Sequence, residues 1–291
     1  AAIKKAGFDS VMFWWGNEFD SIDGSKEERF ALAQKEGLLV STVHFPSTNA
    51  HWLWFTTEEG NVYVKQMIEA VQDCGKLGIK NLVVHTTRKL ITPEPNESGL
   101  EKLQKVLIIA EEEGVKLAIE NTRFLRYNSY IYKNLSSSAL GFCFDCGHAN
   151  CYTPGEAPLE MFGKYLSTTH IHDNYGPAGS PNGMEAPSGR VDLHNLIGDG
   201  NIDYKPIFKK FKELNVQEYN LESYCFEHSK YWGLSMQEYL NTVVSNREAL
   251  NLSQNTKNTK VNKKNKLNFI CITLIIFFVC SNLLSIKFDL S

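Results

Sequence analysis

Six of the eight histidines, His44, His85, His148, His170, His172 and His194, stand at or just past the ends of short β-branched runs. Carboxylates join them. Glu120 closes Leu117-Ala118-Ile119-Glu120, Asp145 closes Phe142-Cys143-Phe144-Asp145, Asp192 sits in Asp192-Leu193-His194, and Glu222 closes Asn220-Leu221-Glu222. So many acids and imidazoles gathered away from water need cations, because an unpaired buried carboxylate is strongly destabilising. A mixed imidazole and carboxylate shell suits zinc or manganese better than calcium. Asp145-x-x-His148 and Asp192-x-His194 can each place two donors on one metal or on two neighbouring ones. His51 and His228 match no strand end and read as loop residues, while Asp173 either orients an imidazole or opens the following loop.

These donors lie far apart in sequence, so the fold must collect them. The chain alternates β-branched runs with amphipathic stretches, the pattern of a parallel sheet with crossover helices. Strands are expected near Ser10–Phe13, Leu39–His44, Asn81–His85, Lys116–Glu120, Leu140–Asp145, Ser167–His172 and Glu218–Glu222. Helices are expected over Lys26–Glu36, Asn61–Leu77, Gly99–Glu113, Tyr204–Leu214 and Ser235–Leu250, several closed by a glycine such as Gly37, Gly78 or Gly114. Residues 1–7 read as the last turn of a helix with no strand of its own, so the expectation is an α/β fold, a (β/α)8 TIM barrel lacking its first strand. In such a barrel the C-terminal strand ends converge on one mouth and the donors become neighbours there. A doubly wound sheet is the alternative, but no glycine-rich phosphate loop follows any strand.

The 291 residues allow two domains at about 150 residues each, or one large barrel. With 43% hydrophobic and 22% charged residues, collagen-like, coiled-coil and wholly disordered chains are excluded. The formal charge is −3, but the last 41 residues carry six Lys against one Asp, which leaves residues 1–250 at −8. An acidic body binds phosphate backbones poorly, because such binding rests on Lys and Arg displacing counterions. The seven cysteines, at 74, 143, 146, 151, 225, 271 and 280, show no paired framework, which fits a reducing, cytoplasmic setting. Cys143 and Cys146 form a lone C-x-x-C that reads as structural rather than zinc-binding. Past residue 250 the chain becomes polar and basic over 251–268, then residues 269–286 carry no charge. That segment reads either as a C-terminal membrane anchor, held on the cytoplasmic side by Lys257, Lys260, Lys263, Lys264 and Lys266, or as an artefactual extension.

Residues 1–250 resemble the xylose isomerase-like TIM barrels, which include sugar phosphate isomerases and epimerases and endonuclease IV-type apurinic endonucleases. The resemblance rests on Val43-His44-Phe45-Pro46, Val84-His85, Ile119-Glu120-Asn121-Thr122, Phe144-Asp145-Cys146-Gly147-His148-Ala149-Asn150, Thr169-His170-Ile171-His172-Asp173, Asp192-Leu193-His194 leading into Gly198-Asp199-Gly200-Asn201-Ile202-Asp203, and Leu221-Glu222. The isomerase branch implies one divalent metal (Mn, Zn, Mg or Co) on Glu120, Asp145, His170 and Glu222, with Glu120 and Glu222 as the acid–base pair and His148 on a sugar oxygen. Its substrate would be a small ketose, polyol or sugar phosphate. His172, Arg123 and Trp15 are expected to bind that substrate; Trp14, Trp15, Phe45, Trp52 and Trp54 follow early strands and either wall the mouth or belong to the core. The long loop 174–191 before Asp192 departs from those epimerases that carry an Arg beyond the seventh-strand histidine.

The endonuclease branch implies three zinc ions on His44, His85, Glu120, Asp145, His148, His170, Asp192, His194 and Glu222, and phosphodiester cleavage at abasic DNA. Against it stand the acidic body and the few nearby cations, Arg88, Lys89, Arg123, Arg126 and Arg190, which suit the phosphate of a small sugar as well as DNA. A third class, a non-catalytic ligand-binding barrel, has no need of two opposed glutamates beside a metal. The isomerase reading implies a small-molecule partner rather than nucleic acid, and a homodimer is compatible with it.

Overall fold

A computed structural model of the chain describes residues 1–18, 20–88, 92–179, 191–223, 230–255 and 272–274. Lys89, Arg190, Cys225, His228, Cys271, Cys280, the five linker lysines and most of the uncharged tail lie outside them. Six parallel strands, β1 (Phe13–Trp14), β2 (Thr42–His44), β3 (Asn81–Val84), β4 (Lys116–Glu120), β5 (Leu140–Asp145) and β6 (Leu166–His170), form one sheet in sequential order. β7 (Tyr219–Leu221) joins β6 through a bridge between Ile171 and Leu221. Helices separate successive strands, and the curled parallel sheet has the α/β TIM-barrel fold expected from the alternating pattern.

The helices form where the pattern places them. The Lys26–Lys35 helix opens on a reciprocal capping box between Ser25 and Glu28. The Glu58–Leu77 helix buries Tyr63, Val64, Met67, Ala70, Val71 and Cys74, an apolar stripe at three- and four-residue spacing. It packs along the Glu97–Glu113 helix, whose Leu103, Val106, Leu107 and Ala110 form the matching face. Gly78 and Gly114 end these two helices at φ +72° and +66°, a left-handed turn that side chains with a Cβ adopt at a cost.

Strand alternation divides the side chains into two sets. Val43, Leu82, Val84, Leu117, Ile119, Phe142 and Phe144 belong to the main core with the surrounding helices. The opposite set points into the barrel: Val83, Ala118 and Cys143 form a separate buried cluster. Thr42 Oγ1 lies 3.4 Å from Thr168 Oγ1, and Asn81 Nδ2 donates to Thr42 at 3.3 Å. Asn220 Nδ2 also donates to Thr168. This layer supports the strand-end residues two positions further on, which face the same way.

Helices over Leu125–Asn134, Cys146–Tyr152 and Pro158–Phe162 and a 3₁₀ turn over Ala50–Trp54 were not expected from sequence. They are short, or carry histidine and tyrosine at positions where a simple apolar period would place Leu or Val. Only three residues of the tail, Ile272, Thr273 and Leu274, are described. Ile272–Leu274, inside the segment read as a membrane span, are extended as β8 and pair in parallel with β7, Tyr219 opposite Ile272. β-branched Ile272 and Thr273 suit a strand, and the edge of β7 supplies their backbone partners. Among the described residues no helix is long and apolar enough to cross a membrane.

Candidate active site

The C-terminal ends of β2 to β7 and the turns after them bring the sequence-selected donors into two adjoining clusters. In the first, Glu120, Asp145, His170 and Glu222 each offer an atom within 4.8 Å of the others, and all four are buried. His44 joins Glu120 and His170 in an overlapping group. In the second cluster His148, His172, Asp192 and His194 meet the same distance limit.

Glu120 is the hub of the first cluster. Its Oε2 lies 3.3 Å from His44 Nε2, 3.1 Å from His85 Nε2 and 3.4 Å from His170 Nδ1, while Oε1 lies 2.9 Å from His148 Nδ1. His170 Nδ1 also approaches Glu222 Oε2 at 2.8 Å and Asp145 Oδ2 at 3.8 Å. Yet this buried nitrogen makes no hydrogen bond of acceptable geometry. An imidazole nitrogen flanked by three carboxylates and not hydrogen-bonded to any of them fits a cation-binding arrangement, with a mixed donor set of three carboxylates and one imidazole.

Supporting contacts fix the donors. Asn121 Nδ2 donates to the Asp145 carbonyl and its Oδ1 accepts from Asp145 N–H, each at 2.8 Å, tying the ends of β4 and β5 together. Asn128 Nδ2 donates to the Glu120 carbonyl at 3.1 Å. His148 Nδ1 lies 3.1 Å from the Asn121 carbonyl, and His194 Nδ1 lies 3.0 Å from the Glu222 carbonyl. Those main-chain acceptors favour the proton on Nδ1 and leave both Nε2 atoms directed at Asp192 Oδ2, each at 3.2 Å.

Electrostatics follow from this crowding. Burial disfavours charge on Glu120, but His85 and His170 outweigh it and hold the carboxyl well below its ordinary range. Burial also opposes the ionised form of Asp192, and His194 and His148 again reverse the sign. His85 goes the other way: desolvation lowers its pKa more than Glu120 raises it. Burial pushes the Cys143 thiol beneath the site up to about 12. Cys74, Cys143, Cys146 and Cys151 are all free and buried.

The residues expected to bind substrate divide. Arg123 is at the rim, its guanidinium 4.4 Å above the Tyr152 ring, which lies 5.3 Å from the ring of His148. Trp15 does not line the mouth: it is 2% exposed in the core, its indole N–H donating to Asp73 at 3.3 Å. Trp14, its neighbour on the opposite face, stacks on His44 with centroids 5.0 Å apart. Trp54 is also core, donating to the Thr86 carbonyl at 2.6 Å. His172 is wholly buried, with its ring stacked 3.9 Å from that of His194. Asp173 does not orient an imidazole; it accepts from the backbone N–H groups of Asn174, Gly198 and Ile202 and so shapes the following loop. His51, read as a loop residue, instead lies in the 3₁₀ turn over Ala50–Trp54. Tyr152 was not anticipated, although its position four residues after His148 on a helix would put the two on one face.

Residues 1–239 match the family model described as a xylose isomerase-like TIM barrel. An uncharacterized protein of Sinorhizobium fredii is 30% identical over 136 residues, which cover 45% of this chain and 39% of that protein. The chain spans about two fifths of the length of the curated relatives it matches. Among solved structures, a D-tagatose 3-epimerase-like protein aligns with TM-score 0.63 at 20% identity, covering 86% of this chain and 90% of its own. A D-psicose 3-epimerase with D-tagatose from Clostridium cellulolyticum H10 aligns with TM-score 0.62 at 15% identity, covering 87% and 90%. At these identities the structural likeness speaks for the fold.

Proposed function

We propose that this chain, which belongs to the xylose isomerase-like TIM barrel family, is a divalent-cation-dependent isomerase or epimerase of a small ketose, polyol or sugar phosphate. One observation carries the reading. Two buried glutamates from strands three apart, Glu120 of β4 and Glu222 just past β7, approach the same imidazole nitrogen of His170, at 3.4 and 2.8 Å. A binding site needs no such opposed pair, whereas moving a proton off and onto a carbon beside a carbonyl does. The solved epimerases of the same fold named above are consistent with it.

Glu120, Asp145, His170 and Glu222 would hold the cation. Bound there, it would supply Lewis acidity toward the substrate carbonyl as negative charge develops on oxygen. The chain's own residues perform the proton transfer. Glu120, its carboxyl held low by the neighbouring histidines against its burial, accepts the proton from the carbon, and Glu222, once it has taken a proton from solvent, returns one from the other side. His148, its Nδ1 engaged with Glu120 and Asn121, hydrogen-bonds a sugar oxygen that takes the place of Asp192 at its Nε2. Trp14 offers its face to the C–H surface of the sugar, and Arg123 sits where a phosphate or hydroxyl would reach the rim.

The second donor cluster supports one further reading. His148, Asp192 and His194, with the overlapping His44, Glu120 and His170 group, could hold additional zinc ions and hydrolyse a phosphodiester such as an abasic site in DNA. Cation content decides between the two. About one manganese, magnesium, cobalt or zinc per chain, with deuterium exchanged into a ketose in heavy water, supports the isomerase. About three zinc ions, with no exchange into any ketose and cleavage of abasic DNA, supports the hydrolase.

A further inference from the structure

His172 takes no part in the proton transfer, yet it is wholly buried between the two clusters. Its Nε2 lies 3.0 Å from Asp145 Oδ1 and 3.2 Å from Oδ2, while Nδ1 is buried without a hydrogen-bond partner. An ionised carboxylate only accepts, so the proton belongs on Nε2. Asp145 Oδ1 also accepts the backbone N–H of His148 at 2.6 Å. With two donors on Oδ1, the other oxygen, Oδ2, is the one that faces His170 Nδ1 at 3.8 Å.

The ring that delivers this donor is itself clamped. One face stacks on His194 at 3.9 Å between centroids, with planes 10° apart. Its Cε1 edge fits against the backbone of Gly147, where an added Cβ would come within 1.9 Å of that atom. The ring therefore has almost no freedom to turn away from Asp145.

We propose that His172 is a positioning residue: its Nε2–H, nearer to Oδ1 than to Oδ2, fixes the Asp145 carboxylate together with the His148 backbone N–H and so turns Oδ2 toward a cation in the Glu120, Asp145, His170 and Glu222 cluster. The proposal rests on that cluster binding a cation and not on which substrate is turned over. It replaces the substrate-binding role expected for His172 from its place at a strand end.

Two substitutions separate the hydrogen bond from the packing. His172→Phe keeps a flat ring against His194 and removes the donor; His172→Gln keeps an N–H where Nε2 was and removes the ring. Manganese binding to the full chain is measured by calorimetry, and the bound ion's paramagnetic resonance spectrum is recorded without substrate. His172→Phe should weaken manganese about tenfold to a hundredfold and alter the spectrum, as loss of a ligand's outer partner does, and His172→Gln should restore most of both. Unchanged affinity and spectrum in His172→Phe, or no restoration by Gln, overturns the proposal.

Should the Phe variant fail to fold, nitrogen NMR of the histidines in the unaltered protein decides instead. An Nε2–H tautomer at His172 supports the proposal and an Nδ1–H tautomer overturns it. If no sugar is turned over while His172→Phe still weakens manganese, the isomerase reading falls and the role of His172 stands.

Discussion

His194 Nδ1 lies 3.0 Å from the main-chain carbonyl oxygen of Glu222, and His194 adopts a left-handed backbone at φ +49°. A non-glycine residue in that region is held there at a cost by its surroundings. The carbonyl of one cluster's glutamate thus sets the ring of the other cluster's histidine, leaving His194 Nε2 for Asp192 at 3.2 Å. The two clusters are built as one unit.

Because that contact uses the backbone of Glu222 and not its carboxylate, Glu222→Gln leaves it intact. The variant should fold, with some loss of stability from the broken His170 pairing, and lose turnover by about a hundredfold to ten-thousandfold, the usual contribution of a positioned acid–base group. Steady-state rates on the best ketose from a panel, alongside a melting curve, check this. Near-normal activity in a folded Glu222→Gln protein would sink the proton-transfer reading.

Trp14 and Trp15 are adjacent in sequence and opposite in role. Trp15→Ala should cost about 3–5 kcal/mol of stability in a urea titration, as expected for a large core aromatic. Trp14→Ala should cost much less stability and raise KM with a smaller effect on kcat, because its partner is His44 at the mouth. Equal destabilisation by both substitutions would contradict the assignment.

The same pair shows what could be read from sequence. The strands were legible because their β-branched runs alternate with helices of clear apolar period, and the donors because imidazoles and carboxylates recur at strand ends. Period-two alternation also separates His44, Glu120, Asp145 and His170 from the neighbours that face the helices. It failed for Trp15 because β1 is two residues long, too short for the alternation to be located. For His172 the alternation gives the inward direction, since Ile171 still pairs with Leu221 past the end of β6, but not which of the inward donors it meets. Contacts such as Asn121 with Asp145 and His194 with Glu222 join residues 24 and 28 positions apart and have no periodic signature.

Protons and cations compete for this site. Burial opposes charge on His148, but Asp145 and Asp192 outweigh it, and the pKa is raised well above that of a free imidazole; His170 is raised against its burial by Cys143, Glu222 and Glu120, and His172 by Asp145. Histidines raised on folding stabilise the cation-free protein fully below their unfolded value, about pH 6.5, and lose that contribution as pH rises through the folded values. Glu120 and Asp192, lowered on folding, contribute above the ordinary carboxylate range and lose it in acid. The chelator-treated protein should therefore melt progressively lower as pH rises above about 6.5, and added manganese should bind more tightly there as imidazole protons leave. Melting curves with EDTA and with manganese from pH 5 to 9 test this, and a cation affinity independent of pH would refute it.

Gly147 is fixed by the His172 ring and not by its own backbone angles. An alanine there would place Cβ 1.9 Å from His172 Cε1, 2.4 Å from Nδ1 and 2.4 Å from Nε2, so the ring must move. Overpacking of this kind costs about 1–3 kcal/mol. The displacement also breaks the Nε2–H contact to Asp145, so Gly147→Ala should weaken manganese together with stability. His172→Gln in the same background removes the ring that collides with the new methyl, and should recover part of the lost stability. A double-mutant cycle measured by urea unfolding reads that recovery, and additive losses would show that the ring and the glycine are not in contact.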